Sequence, residues 1–257
     1  MLEPRLPETV ALGLLQGPAE LLPISSSAHV EVVPWLLGWR HARLSGEARK
    51  EVEVALHAGT ALALLAAGEG VARPWLGAIA LVAPAVAAMA FERPIEERLG
   101  GAGSVAAGLV AGGAAMAVAD RAPARRGARD AGPADAAWLG LAQAAALVPG
   151  VSRSGMTRAV ARARGFDRAS AAALSREVAL PVLFGAAALK GVRLARRRPG
   201  AATLRAMAAG TGAAGLSTAL GLRAERRASG RVPYAVWAAY RCALAGVILR
   251  VRQNQGA

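Results

Sequence analysis

The sequence contains few cysteines, few aromatic residues and few carboxylates. Its single cysteine, Cys242, excludes a disulfide framework and a metal site built from cysteines, and we expect it to pack between helices. Aromatic residues make up 4% of the 257 residues, which leaves little surface on which nucleic-acid bases would stack. Lysine and arginine number 31 against 17 aspartate and glutamate, a net charge of +14. What this excess of positive charge means depends on where it lies.

Apolar sequence is abundant: 54% of the residues are hydrophobic and the mean hydropathy is +0.36. Long runs of alanine, leucine and valine are typical of membrane spans. The arginines cluster between these runs, where they meet anionic lipid headgroups rather than nucleic acid. The N-terminus lacks a basic region followed by a small-residue cleavage site, so we expect no removable signal peptide. The sequence therefore predicts an all-α polytopic membrane protein that forms one integral domain over residues 1–257, with lipids and not nucleic acid as partners.

Six stretches are long and apolar enough to cross the hydrocarbon core. They cover 52–68, 74–91, 102–120, 170–191, 203–222 and 234–250. The third and fifth stretches are rich in glycine, which lets helix backbones approach closely. These glycines are Gly108, Gly112, Gly113, Gly210, Gly212, Gly215 and Gly221. We therefore expect about six transmembrane helices in close contact.

Two further apolar segments, 9–38 and 138–164, are too short to cross and are broken by proline, glycine and serine. They repeat each other at an offset of 127: Leu-Gly-Leu-x-Gln of 12–16 recurs at 139–143, and Ser-x-Ser of 25–27 recurs at 152–154. Three spans follow each copy, and an odd number of crossings turns the second copy over. The sequence predicts an inverted repeat, about 8–120 and 136–251, with two re-entrant helix pairs meeting at a central site. The charges leave its orientation in the membrane open.

The first broken segment contains an acid, hydroxyls and an imidazole. Gln16 and Glu20 are four residues apart and lie on one helix face. Pro23 is expected to end the first half-helix, and Ser25, Ser26 and Ser27 to cap the next one, whose free N–H groups favour an anion. His29 shares a face with Ser25 and Ser26. The serines are also consistent with capping alone, and His29 with an interfacial side chain.

The second broken segment adds a guanidinium, Arg153, among hydroxyls and a loop glycine. Its neighbours are Ser152, Ser154, Gly155 and Thr157. An ionisable residue inside a membrane segment is costly, so Glu20 and Arg153 are functional candidates. Together the two segments provide donors and charge that fit a phosphate group.

Other ionisable residues have simpler interpretations. Glu53 and His57 are four residues apart, and we favour an ion pair at headgroup level over a supporting role in the site. Asp120, Asp130 and Asp135 are expected in solvated loops. No spacing of histidine, cysteine and aspartate matches a dedicated zinc or calcium site.

Two segments of the chain resemble parts of a known family. The segments are residues 13–29, Gly-Leu-Leu-Gln-Gly-Pro-Ala-Glu-Leu-Leu-Pro-Ile-Ser-Ser-Ser-Ala-His, and residues 149–157, Pro-Gly-Val-Ser-Arg-Ser-Gly-Met-Thr. They resemble the two signature regions of the bacterial undecaprenyl-diphosphate phosphatase family, the bacitracin-resistance proteins. Residues 53–59 resemble its third block more weakly. The resemblance implies an enzyme of the bacterial plasma membrane with inverted repeats. Such an enzyme hydrolyses undecaprenyl diphosphate to the monophosphate carrier that cell-wall peptidoglycan synthesis reuses, with a divalent cation such as Mg²⁺ or Ca²⁺.

By position, the resemblance assigns catalytic roles to Glu20, Ser26, His29 and Arg153, with Glu20 as a metal ligand. Gln16 stands at the first of the family's two acidic positions, where glutamate is usual. The predicted phosphate-binding residues are Gln16, Ser25, Ser27, Ser152, Ser154, Gly155 and Thr157.

Several alternatives remain open at this point. Ser26 is expected either to attack phosphorus, with His29 or Glu20 accepting its proton, or to position a water for direct attack. A rival function is a carrier or flippase that binds a polyprenyl phosphate without cleaving it. An unrelated ion-coupled carrier is disfavoured because its coupling acids are missing. The oligomeric state is open, with a homodimer as one option.

Overall fold

A computed structural model describes residues 2–70 and 72–255. Within these ranges the chain forms ten α-helices and two short 3₁₀ turns, and no β-strand. The helices are α1 (Leu6–Leu21), α2 (Ser26–Leu36), α3 (Gly46–Ala66), α4 (Pro74–Leu99), α5 (Ala102–Ala119), α6 (Pro133–Ala145), α7 (Arg153–Ala163), α8 (Arg168–Arg196), α9 (Ala201–Ala228) and α10 (Tyr234–Gln255). The all-α prediction is confirmed for the described residues.

Among the described residues, four helices are long and apolar enough to cross a membrane, so the chain is an integral membrane protein. The qualifying stretches are 74–91 in α4, 102–119 in α5, 168–196 in α8 and 234–252 in α10. The other two predicted spans correspond to α3 and α9. Their charged ends and small residues make these helices less apolar than the four that qualify.

Each broken segment folds as two helices joined by a sharp change of direction. The first elbow, residues 22–25, separates α1 from α2, and the second elbow, residues 146–152, separates α6 from α7. Pro23 and Pro149 lack the N–H that a continuing helix needs, and Gly150 adopts a φ of +87°. Ser25 and Ser152, the last residues of the two elbows, have φ of +73° and +72°. The predicted breaks are therefore present, with the same unusual backbone conformation at equivalent serines.

The helices pack against one another, α1 on α9, α6 on α4, α5 on α10, and α3 against both α8 and α9. Glycine makes these approaches close: a methyl group at Gly13 would overlap the backbone of Gly210 in α9, and one at Gly140 would lie 2.9 Å from the carbonyl oxygen of Ala80 in α4. We predicted that the glycines of the spans allow close helix contacts. This is wrong at Gly212, where a methyl group would meet no described atom within 4 Å. That glycine lies on a face of α9 without a close neighbour.

Two loop aspartates are buried in ion pairs, so their predicted solvation is wrong. Asp120 binds Arg162 at 3.1 Å and Arg168 at 2.7 Å, which ties the end of α5 to α7 and α8. Asp135 binds Arg126 at 2.7 Å and also Arg164. Only the folded chain brings these distant arginines to the aspartates. Asp130 is exposed, as predicted.

Cys242 does not pack between helices. It lies on an exposed face of α10, whereas the preceding residue, Arg241, is fully buried. Successive helical residues point about 100° apart, and the rotation of α10 directs the arginine inward and the cysteine outward.

Candidate active site

Glu20, in the last turn of α1, is the centre of a buried polar cluster and is 5% exposed. Its Oε1 accepts hydrogen bonds from Nη2 and Nε of Arg153, at 2.8 and 3.2 Å. Its Oε2 accepts one from the hydroxyl of Ser26 and lies 3.1 Å from Nε2 of His57. The cluster therefore joins α1, α2, α3 and α7 through one carboxylate, and it unites the acid, hydroxyl and guanidinium predicted from separate segments.

Gln16 lies one helical turn before Glu20 and is fully buried. Its Nε2 is 3.4 Å from Oε2 of Glu20, while its Oε1 is buried and has no hydrogen-bond partner among the described residues. The amide therefore faces the carboxylate, as the four-residue spacing predicts.

Arg153 begins α7 and is held on its far side by α8. Its Nη1 donates to the carbonyl oxygen of Ser175 at 3.0 Å. Thr157, one turn further along α7, is fully buried, and its hydroxyl lies 2.9 Å from the carbonyl oxygen of Arg153 and 2.6 Å from the Ser175 hydroxyl. Thr157 thus anchors α7 to α8 beside Arg153.

The first elbow touches the start of α7. The Ser154 hydroxyl donates to the carbonyl oxygen of Leu22 at 3.1 Å. Each elbow ends in a serine whose hydroxyl contacts that of a second serine in the following helix, Ser25 with Ser27 at 3.3 Å and Ser152 with Ser154 at 3.4 Å. The start of α7 adds the N–H of Gly155, which donates to Ser152 Oγ at 3.2 Å, so this serine caps α7. Ser25 occupies the equivalent position of α2 but makes no side-chain cap within the described part of the chain, so the predicted cap is wrong at Ser25.

His29 lies at the elbow but is turned away from Ser26. Its Nδ1 is 2.7 Å from the carbonyl oxygen of Ser25, and its Nε2 is 2.6 Å from the hydroxyl of Tyr240. A carbonyl oxygen only accepts, so Nδ1 carries a proton and a neutral ring accepts from Tyr240 at Nε2. The Ser26 hydroxyl instead donates to Glu20, the other proton acceptor that the sequence left open.

His57 belongs to the cluster, and its predicted ion pair with Glu53 at headgroup level is wrong. The Glu53 carboxylate pairs with Lys50 at 3.1 Å, while Nδ1 of His57 lies 2.9 Å from the Glu53 carbonyl oxygen. This carbonyl and the Glu20 carboxylate both only accept, so the geometry fits a doubly protonated His57 ring. Its signal in the sequence was the third resembling block, 53–59.

Two residues of α10 were missed, Tyr240 at His29 and Arg241 between the elbows. Arg241 donates to the carbonyl oxygens of Pro23 and Gly150, at 3.2 and 2.8 Å. An arginine within an apolar run is a functional candidate by default, and that signal was available in the sequence.

The side chains around Glu20 do not supply the ligands that a divalent cation held by the protein alone would need. In residues 2–70 and 72–255 no three histidine, cysteine, aspartate or glutamate side chains are grouped as metal ligands. Both oxygens of Glu20 already accept hydrogen bonds, two cationic groups surround them, and Gln16 supplies a neutral amide. Cations such as Mg²⁺ and Ca²⁺ prefer several carboxylate oxygens. The implied cation therefore stays a prediction.

Known proteins are similar to this chain over most of its length. A family profile described as "Bacitracin resistance protein BacA" matches residues 9–247. A protein of Geobacter sulfurreducens called undecaprenyl-diphosphatase is 36% identical, over 93% of this chain and 95% of its own length. Proteins of the same name from Pelotomaculum thermopropionicum and Desulforudis audaxviator are 35% and 34% identical, over 71% and 73% of this chain and 74% and 76% of their own lengths.

Proposed function

We propose that this chain, which belongs to the bacitracin resistance protein BacA family, hydrolyses undecaprenyl diphosphate to undecaprenyl phosphate and inorganic phosphate. The observation that carries the proposal is the buried contact of Ser26, Glu20 and Arg153, which brings a hydroxyl, a carboxylate and a guanidinium together in a membrane protein. The product is the lipid carrier that peptidoglycan synthesis reuses. We accordingly propose the bacterial plasma membrane as the location.

The substrate would bind with its diphosphate between the elbows and its polyprenyl tail in lipid. Arg153 and the free N–H groups at the starts of α2 and α7 are the donors available to phosphoryl oxygens. The Arg153 guanidinium is bound to Glu20 in the free protein. A bound diphosphate would compete for it, and its transfer to the phosphate would leave the carboxylate free to accept a proton.

In the proposed reaction the Ser26 oxygen attacks the terminal phosphorus while its proton passes to Glu20. The bond from this phosphorus to the bridging oxygen breaks, and undecaprenyl phosphate leaves with the electron pair. Water then attacks the phosphoserine, inorganic phosphate leaves, and Ser26 recovers a proton. The hydrogen bond from Ser26 to Glu20 supports this route. In the alternative, the same pair orients a water that attacks phosphorus directly.

We also propose that the chain crosses the membrane six times, with α1–α2 and α6–α7 as re-entrant pairs in an inverted repeat of residues 8–120 and 136–251. Three observations support this arrangement. In such a repeat α1 corresponds to α6 and α4 to α9, and α1 contacts α9 just as α6 contacts α4. Gly13 and Gly140, 127 residues apart, lie at these two contacts. Ser25 and Ser152 share their unusual φ. Labelling of single cysteines in a Cys242→Ala background tests the topology, because re-entrant pairs return to the side they entered and full spans do not.

The activity is tested by phosphate release from undecaprenyl diphosphate with purified protein. Ser26→Ala and Arg153→Lys should each lower kcat/KM by about 100-fold or more, because a nucleophile or a bidentate phosphate ligand is lost. Ser229→Ala and Arg168→Lys are matched controls outside the cluster and should retain turnover. Near-normal turnover in Ser26→Ala would favour direct attack by water. Tight lipid binding without phosphate release by the unaltered protein would instead support the carrier.

A further inference from the structure

Arg241 is fully buried in α10, and its guanidinium is surrounded by backbone carbonyl oxygens. Nε donates to Leu109 at 3.0 Å and Nη1 to Pro23 at 3.2 Å. Nη2 lies within hydrogen-bond distance of Gly108, Gly150 and Val151, at 3.3, 2.8 and 2.8 Å. One side chain therefore binds the first elbow, the second elbow and α5 at once.

These carbonyls need such a partner. Pro23 lies in the first elbow, and Gly150 and Val151 in the second, where no continuing helix supplies N–H donors. A buried carbonyl without a donor is costly. The planar guanidinium directs its N–H groups into several directions in one plane, which a lysine ammonium on its flexible chain does not reproduce.

The charge of Arg241 has no acidic counterpart in the part of the chain that the structure describes. All its described partners are neutral carbonyls, in contrast to Arg158, Arg162 and Arg176, each of which pairs with a carboxylate. The guanidinium also borders the first turn of α7, because a methyl group at Gly155 would lie 2.8 Å from its Nη1. The positive end of the α7 dipole points to the same region. A buried positive charge beside this helix end favours an anion between the elbows.

We propose that Arg241 is a positioning residue for the reaction, holding the two elbows in register so that Ser26, Glu20 and Arg153 meet. The proposal rests on the proposed function for its catalytic consequence. Its structural basis is the set of hydrogen bonds from one guanidinium to both elbows. Arg241 acts through the elbows and not by contact with the reacting atoms.

Elbow contact is measured independently of activity by disulfide formation between Leu22→Cys and Ser154→Cys in a Cys242→Ala background. The backbone oxygen of Leu22 in the first elbow lies 3.1 Å from the hydroxyl of Ser154, two residues after the second elbow, so this pair reports on the position of one elbow against the other. Arg241→Met should slow the crosslinking, because the carbonyls of both elbows lose their common donor. Arg241→Lys, which keeps the charge, should show an intermediate rate.

The catalytic consequence is measured in the same variants without the added cysteines. Arg241→Met should lower kcat by about 100-fold, the order of effect of a small misplacement of reacting groups. Arg162→Met is the matched control, since Arg162 is also a buried arginine of this bundle but contacts Asp120, Ala122 and Phe166 and no elbow. It should lower the melting temperature while leaving crosslinking and kcat near those of the unaltered protein.

The outcomes separate the two proposals. If the unaltered protein released no phosphate, the crosslinking series would still decide whether Arg241 holds the elbows. Unchanged crosslinking and kcat in Arg241→Met, or an equal loss of both in Arg162→Met, would overturn the positioning role. If Arg241→Met does not fold, Arg241→Lys decides: slower crosslinking with lower kcat supports the role, and unchanged values overturn it.

Discussion

At the scale of single residues, Glu20 and His29 are both candidates in the sequence for accepting the Ser26 proton. Their hydrogen bonds in the structure favour Glu20. Glu20 receives the Ser26 hydroxyl, whereas both ring nitrogens of His29 are occupied by the Ser25 carbonyl and by Tyr240. The polar neighbours of Glu20 also include Gln16 at 3.4 Å. Replacing Gln16 by a charged residue therefore changes the charge next to Glu20 directly.

Gln16→Glu is expected to make phosphate release depend on a divalent cation. A carboxylate at this position lies against Glu20, and two like charges this close repel each other unless a cation lies between them. Activity with a chelator should fall, and added Mg²⁺ should restore it, as measured by initial rates across a metal titration.

Gln143→Glu provides the control for this substitution. Gln143 is equivalent in the repeat, but its amide donates to the Ala80 carbonyl oxygen at 3.1 Å, away from Glu20. It should not acquire the metal dependence. A metal titration of Gln16→Glu identical to that of the unaltered protein would show that the carboxylate pair does not control cation binding.

At the scale of elements, both elbows end in a serine whose backbone is in a sparsely populated conformation. Such a residue costs about 1–3 kcal/mol and is kept only where its surroundings hold it. At Ser152 the side chain compensates in part by capping α7, but Ser25 makes no cap to α2. The strain at the first elbow is therefore relieved more readily by substitution than that at the second.

Ser25→Gly should raise the melting temperature of the purified protein, because glycine adopts a φ near +73° without strain. Ser27→Gly, two residues later within α2, should lower it, since glycine inside a helix costs about 0.5–1 kcal/mol relative to alanine. A thermal shift assay on both variants measures the difference. A lower melting temperature for Ser25→Gly would indicate that the Ser25–Ser27 hydroxyl contact outweighs the backbone strain.

At the scale of the whole molecule, buried ionisable groups outside the membrane segments link loops to helices. His41 follows α2 and is almost fully buried, and burial together with the charge of Arg49 lowers its pKa to about 4. Asp135 stands at the start of α6. Burial alone would raise its pKa, but hydrogen bonds from Arg126, Arg164 and the N–H of Gly132 lower it to about 2.

Acid should therefore destabilise the protein in two separate steps. The unfolded chain protonates His41 near pH 6.5, so its contribution is present above this pH and is lost as the pH falls toward 4. The contribution of Asp135 is lost below its ordinary value of 3.8, as the pH falls toward 2. The melting temperature measured across pH should fall in both windows.

Single variants assign these steps. His41→Phe should flatten the upper window alone, and Asp135→Asn should flatten the lower one alone while reducing stability at neutral pH. A profile for His41→Phe that still falls between pH 6.5 and 4 would assign that step to another group.

Features that depend on local backbone chemistry were predictable from the amino-acid sequence. Pro23, Pro149 and Gly150 interrupt helices wherever they occur, so both elbows and the separation of α1 from α2 and of α6 from α7 were predictable. The motif at 13–29 and the one at 149–157 likewise identified Glu20, Ser26 and Arg153 before any fold was known. The site's core was therefore predictable from its own segments.

Which side chains of the other helices join that core depends on how the helices pack. His57, Tyr240 and Arg241 lie on α3 and α10, and they reach the elbows because of how these helices are rotated against their neighbours. In a membrane helix, faces toward lipid and faces toward protein are both apolar, so sequence periodicity does not reveal the rotation. The same reason explains why the outward position of Cys242 was not predicted. Asp120 and Asp135 pair with arginines that only the fold brings to them, Asp120 with Arg162 of α7 and Asp135 with Arg126.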